Sequence, residues 1–143
     1  MATIRSNYVN NNIISITLAG LADEGMAESV AIDNSIDRFV SADIQLKYKT
    51  GISVSPIGIV ELFLGRSVDG GTTFDDSAVN AESVGSFNAD IDSTAFVAST
   101  DTAFNGQLPD FWKLYVRNLS GAALDSTAAN FYAKFLGKRF ESV

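Results

Sequence analysis

The stretch FWKLYVRN, residues 111–118, alternates apolar and polar side chains along its length. The apolar positions are Trp112, Leu114 and Val116, and the positions between them are Lys113, Tyr115 and Arg117. A period of two is typical of a β-strand with one buried face and one face in water. The stretch therefore predicts a half-buried strand.

The same strand pattern recurs on both sides of this stretch. Further alternating runs are residues 12–18, 43–48 and 129–140, and shorter runs bounded by turn-forming residues are 83–89 and 94–100. Residues 57–65 are apolar on both faces except at Glu61, which predicts a central strand covered on both sides. Residues 21–32 contain helix formers, but Gly25 interrupts them and no apolar stripe is present, so we expect extended or irregular chain there.

These runs amount to about eight strands separated by Gly, Asn and Asp turns, which favours an all-β fold. We expect an antiparallel β-sandwich, jelly-roll-like in its connections, formed as a single domain by residues 13–143. Residues 1–12 end in three asparagines and are weakly patterned. We expect them to form an N-terminal arm that becomes ordered on assembly against a neighbour.

The composition excludes several kinds of site. The 143 residues include no histidine and no cysteine, so Ser-His-Asp and Cys-His catalysis, disulfides and thiolate metal sites cannot be built. The net charge is −7 and the basic residues are scattered, which disfavours nucleic-acid binding and contact with anionic membranes. No apolar run approaches the length of a membrane span or of a signal core, and we expect synthesis in the cytosol.

The stretch SVDGGTTF, residues 67–74, has the residues of a tight turn. The turn positions are Ser67, Asp69, Gly70, Gly71, Thr73 and Phe74. The aspartate can accept hydrogen bonds from following N–H groups and the glycines allow positive φ. We expect Thr72 and Thr73 to restart a strand and Phe74 to return to the core. The spacing also resembles the Asp box of bacterial sialidases and other β-proteins, and this resemblance implies a structural turn rather than glycosidase activity.

Three other readings of the polar residues remain open. A calcium site would use carboxylates among Asp69, Asp75, Asp76, Asp90 and Asp92, although their spacing does not match an EF-hand loop. A carboxylate hydrolase would use Glu61, the acid that interrupts the apolar strand. A binding surface for a protein or a sugar would use side chains on the polar faces of two strands, namely Tyr115, Arg117, Tyr132 and Lys134. We expect no metal and no cofactor, and we favour the structural turn and the protein interface.

From about residue 57 to residue 140 the chain resembles a family of small structural proteins of tailed phages and prophages. The resemblance rests on GRSVDGGTTF, VGSF, LPDFWKLYVRNLSGAALDST and FLGKRF, in that order. It implies a non-enzymatic virion component, made in the host bacterial cytoplasm and located in the virion. The expected role is a capsid decoration (cement) protein, homo-oligomeric and bound to the major capsid protein or another virion protein. The alternatives are a tail-associated protein or a carbohydrate- or receptor-binding module.

Overall fold

The chain is described by a computed structural model over residues 3–76 and 80–142. Within these residues it forms nine β-strands and two short 3-10 helices, at Thr102–Asn105 and Ala128–Asn130. The strands are β1 (Ile4–Ile14), β2 (Met26–Glu28), β3 (Ile32–Asp33), β4 (Ser41–Lys49), β5 (Ile59–Ser67), β6 (Glu82–Asn88), β7 (Ala95–Asp101), β8 (Phe111–Leu119) and β9 (Tyr132–Ser142). The all-β prediction is confirmed.

The strands form two antiparallel sheets. Sheet A has the order β1-β9-β4-β7, and sheet B has the order β2-β8-β5-β6 with β3 also paired to β8. Because β2 and β3 pair with opposite ends of β8, they fill one strand position between them. The eight positions then pair first with last, second with seventh, third with sixth and fourth with fifth, as in a long hairpin rolled into two sheets. This is the jelly-roll arrangement.

The core lies between the two sheets and follows from the period of two. Trp112, Leu114 and Val116 point inward from β8, as their alternation predicts, and all three are fully buried. The ring of Trp112 packs edge-on against Phe135 of β9 at a centroid distance of 5.4 Å. The remaining core includes alternate residues of β4 and β5, among them the buried Tyr48, together with residues of other strands and loops.

Several elements differ from the sequence prediction in their bounds. The boundary expected between the N-terminal arm, residues 1–12, and the sandwich, residues 13–143, falls inside β1. This strand pairs with β9 from Ile4↔Ser142 to Ile14↔Ala133. Residues 15–18, expected to continue a strand, follow the end of β1 and are not in one. Whether β1 orders only on assembly stays a prediction. Residues 21–32 are extended or irregular, as expected.

Among the described residues, no helix is both long and apolar enough to cross a membrane.

Candidate functional site

The turn after β5 is organised by the Asp69 carboxylate. Its Oδ1 accepts hydrogen bonds from the Thr73 N–H at 2.8 Å, the Thr72 N–H at 3.1 Å and the Ser67 hydroxyl at 2.8 Å. The Ser67 oxygen in turn accepts the Gly71 N–H at 2.9 Å. These bonds favour the ionised carboxylate, with the Thr73 backbone first in importance, and they lower the pKa of Asp69 to about 2.

The two glycines of the turn have the backbone angles that the sequence suggested. The φ angles are +75° at Gly70 and +90° at Gly71, in the left-handed region that favours glycine. A Cβ on Gly71 would also lie 3.0 Å from the ring of Phe111, whereas one on Gly70 would meet open space. Positive φ therefore favours glycine at both positions, and the close approach of the Phe111 ring is a second reason at Gly71.

The segment after the turn differs from the prediction. Thr72 and Thr73 do not begin a strand, and β6 begins only at Glu82. Phe74 is half-buried and lies on the outer face of sheet B, where the Lys113 ammonium sits 4.6 Å from the centre of its ring. The chain leaves the strand here and folds over the outer face, held to β5 by a backbone hydrogen bond from the Asp75 N–H to the Arg66 carbonyl at 3.1 Å.

The folded-over segment buries Tyr115, which the sequence placed on an exposed interface. The Tyr115 side chain is only 5% exposed, and its hydroxyl donates to the backbone carbonyl of Asp75 at 3.0 Å. Burial raises the pKa of Tyr115, with neighbouring carboxylates adding to the effect. The expectation for Tyr115 is therefore corrected, because a loop of the same chain covers the outer face at this point.

The four candidate interface residues lie on two opposite surfaces. Tyr115 and Arg117 belong to β8 on the outer face of sheet B, where Arg117 stands opposite Glu61 of β5. Tyr132 and Lys134 belong to β9 on the outer face of sheet A. No single partner surface can therefore contain all four side chains.

Tyr132 and Lys134 form part of a polar surface on sheet A. The Tyr132 hydroxyl donates to the Gln45 side chain at 2.7 Å, and the Lys134 ammonium lies 4.5 Å from the centre of the Tyr132 ring. A shallow depression of about 300 Å³ adjoins them, bordered by Asp43, Gln45, Ser99 and Lys134 among others. One face of the tyrosine ring is thus already occupied by a cation, which leaves less of it for stacking on a sugar.

Three of the five carboxylates proposed for calcium, those of Asp69, Asp75 and Asp92, accept hydrogen bonds from the chain itself. Asp75 Oδ2 accepts the Arg66 N–H at 3.0 Å, and Asp92 Oδ1 accepts the Val54 N–H at 2.8 Å. Asp69 holds the turn described above. Over residues 3–76 and 80–142, no group of three or more acidic side chains is placed to hold a metal ion.

One end of the sandwich carries exposed isoleucines that the sequence reading missed. Ile52 and Ile57 lie in the β4–β5 loop and Ile91 in the β6–β7 loop, and each is more than half exposed. The two loops are joined by backbone hydrogen bonds from Ser93 to Gly51 and from Ala89 to Gly58, both 2.9 Å long. We call Ile52, Ile57 and Ile91 the end patch. No periodic signal reveals it, because loop residues follow no period.

A second apolar surface runs along the outer face of β1 and β9. Ile4, Tyr8 and Ile13 of β1 and Phe140 of β9 are all more than half exposed. Residues 139–142 of β9 extend past the start of β4, which pairs with β9 only as far as Ser41↔Lys138. Strands β1 and β9 therefore form a two-stranded ribbon beyond the rest of sheet A.

Comparisons with known proteins add little to this geometry. No family model and no curated protein matches the chain. Among solved structures, the chain is similar at 10% identity and a TM-score of 0.33 to a latent aurone synthase (polyphenol oxidase), with 99% of this chain and 24% of that chain covered. It is also similar, at 10% identity and a TM-score of 0.31, to the Yersinia pseudotuberculosis-derived mitogen, with 96% of this chain and 86% of that chain covered. The chain spans about a quarter of the polyphenol oxidase.

Proposed function

We propose that this protein is a non-enzymatic structural component of a phage virion, a decoration protein that binds to the major capsid protein and bridges neighbouring subunits. The end patch is the observation that carries the proposal. Three large apolar side chains on adjoining loops form a surface that water solvates poorly and that a protein partner would cover. The resemblance to tailed-phage structural proteins supplies the class of partner.

The loops of the end patch are suited to binding because hydrogen bonds hold them in place. Beyond the two backbone bonds between the loops, the Thr50 hydroxyl donates to the Ile91 carbonyl and Asp92 accepts the Val54 N–H. Loops whose backbone is already held by hydrogen bonds lose little backbone freedom on binding, so more of the energy of apolar burial remains as affinity. Asp90 and Asp92 flank Ile91 and would favour a partner surface with basic residues at its rim.

The charge of the protein agrees with an outer position on a particle. A net charge of −7 keeps free copies soluble and repels packaged DNA, so assembly would be directed to the protein shell. Bridging neighbouring subunits adds buried surface that opposes the internal pressure of the DNA.

The test begins by locating the protein in purified particles by cryo-electron microscopy. A binding assay with particles that lack the protein would then compare wild type with the double variant Ile57→Asp, Ile91→Asp. The control, Val68→Asp with Val97→Asp, adds the same charge at two other exposed apolar residues. We expect the end-patch variant to lose binding at least tenfold while the control binds like wild type. Absence from particles, or equal binding by all three proteins, would contradict the proposal.

A carbohydrate- or receptor-binding module is the second candidate, favoured by the polar depression on sheet A. Its test is a glycan array with wild type, Tyr132→Ala and Lys134→Ala. A signal that both variants abolish would support this candidate over capsid binding, and silence across the array would count against it.

A further inference from the structure

We propose that two copies of this chain pair through the free edge of β1, which joins their A sheets into one eight-stranded sheet. This pairing deepens the proposed function and rests on it, because that function is the reason to expect an oligomer. Strand β1 ends sheet A, and among the described residues no backbone hydrogen bond outside β9 reaches residues 4–14. Its second edge is therefore a row of N–H and C=O groups open to another strand.

The first six residues of β1, Ile4 to Val9, lack the features that usually prevent such pairing. Exposed edges are commonly guarded by lysine, proline, short length or a bulge. Strand β1 has eleven residues, contains neither lysine nor proline, and pairs regularly with β9 from Ile4 to Val9, before the irregularity between Val9 and Asn12. Six consecutive residues thus keep an unbroken register with β9 and leave the second edge of the strand open.

Charge selects a second copy as the occupant of this edge. Every other edge strand of the described sheets carries an acidic residue: Glu28 in β2, Asp33 in β3, Glu82 in β6 and Asp101 in β7. Strand β1 has none, and its only charged residue is Arg5. Two copies of a protein with a net charge of −7 repel each other least where the edge strand itself carries no carboxylate. Glu141 of the neighbouring β9 lies opposite Arg5, whose guanidinium is 3.9 Å away and offsets its charge.

An antiparallel pairing centred on Ser6 is complementary to itself. It places Ser6 opposite Ser6 of the second copy and Ile4 opposite Tyr8 of the second copy, so the exposed apolar side chains of the outer face cover each other. On the other face, Arg5 lies opposite Asn7 of the second copy. The Asn7 amide nitrogen already donates to Glu141 at 2.6 Å, and its oxygen remains to accept from that arginine.

The absence of cysteine from the chain allows a direct test of this register. In the Ser6→Cys variant the two new thiols would lie on directly opposed residues, whose Cα separation of about 4.5–5.5 Å suits a disulfide. The control is Ser99→Cys, an exposed position on β7 at the far edge of the same sheet. We expect mild oxidation to link Ser6→Cys into dimers and to leave Ser99→Cys largely monomeric.

Sedimentation equilibrium on paired variants provides the second test. Ile4→Lys with Tyr8→Lys would set like charges opposite each other twice, so we expect a monomer. Ile4→Lys with Tyr8→Glu would set opposite charges there, and only this register predicts that the dimer returns. Val68→Lys with Val97→Lys is the matched control and should remain dimeric.

The outcomes separate this inference from the proposed function. A monomeric wild type, a dimer that survives Ile4→Lys with Tyr8→Lys, or equal cross-linking of both cysteine variants would overturn the inference. Particle binding by such a protein would leave the proposed function standing. A dimer paired through β1 that does not bind particles would support the inference and contradict the proposed function.

Discussion

Replacing Asn118 by aspartate should destabilise the fold strongly although the two side chains have the same shape. Asn118 is fully buried on β8, and its Nδ2 donates to the Leu21 carbonyl at 2.9 Å and to the Ala122 carbonyl at 2.8 Å. Its Oδ1 accepts the Ser120 N–H at 3.0 Å. One amide thus joins the β1–β2 and β8–β9 loops, and aspartate would keep the acceptor while replacing the donor with an oxygen.

The expected loss is about 4 kcal/mol at neutral pH. Two lost hydrogen bonds contribute about 1 kcal/mol each. A buried carboxylate facing two carbonyl oxygens adds at least about 2 kcal/mol more. The loss is not larger still because each carbonyl keeps another donor, the Leu124 N–H at 2.9 Å for Leu21 and the Ser120 hydroxyl at 2.8 Å for Ala122. For a domain of this size such a loss lowers Tm by about 10 °C or more.

Urea unfolding and thermal melts of Asn118→Asp and of the control Asn88→Asp would measure the effect. Asn88 is exposed on β6, so its variant should melt within about 2 °C of wild type. Burial should raise the folded-state pKa of the new carboxyl at position 118 above its unfolded value of about 4. The loss of unfolding free energy due to the buried charge is then complete above the folded-state pKa and becomes smaller as pH falls below it. The difference in stability between the two variants should therefore decrease at low pH. Equal stability of the variants at neutral pH would refute the reasoning.

Three smaller predictions concern the turn after β5 and the loop that covers sheet B. Gly70→Ala should cost about 1 kcal/mol in unfolding free energy from its positive φ, and Gly71→Ala more, because its Cβ also meets an aromatic ring on β8; equal losses would contradict the close approach. The lowered pKa of Asp69 means that its stabilisation is present above its unfolded value and is lost as pH falls towards about 2. Denaturation at several pH values should therefore show the stability gap between wild type and Asp69→Asn closing between about pH 4 and pH 2, whereas a constant gap would count against the carboxylate hydrogen bonds. Tyr115→Phe should lose about 1 kcal/mol with its hydrogen bond, whereas Tyr8→Phe at an exposed position should lose almost nothing in the same urea titration.

The sequence could predict the two-layer fold because alternation survives wherever a strand has one buried and one wet face. Strand β8 shows this best, with Trp112, Leu114 and Val116 inward as expected. Strand β1 was bounded incorrectly, since its outer half belongs to a ribbon that is exposed on much of both faces and therefore has little alternation. Its pairing with β9 joins residues far apart in the chain, and local pattern carries no information about such a partner.

The surfaces were harder to predict than the strands. Tyr115 and Tyr132 occupy equivalent polar positions in their sequence patterns, yet a loop buries Tyr115 whereas Tyr132 remains partly exposed. The difference depends on where residues 72–76 fold, which alternation along β8 cannot report. The end patch escaped notice because an isolated isoleucine in a loop has the same sequence signature whether it is buried or exposed.

The pairing of β1 with β9 also constrains how the protein is made. Ile4 pairs with Ser142, so sheet A remains incomplete until residues 132–142 have left the ribosome. Pairing between residues so far apart in the chain slows folding, and both edges of β1 stay unpaired until β9 has been synthesised. At high expression levels, β1 of one nascent copy could pair with another copy before its own β9 is available. Slower translation or lower temperature should therefore raise the soluble yield.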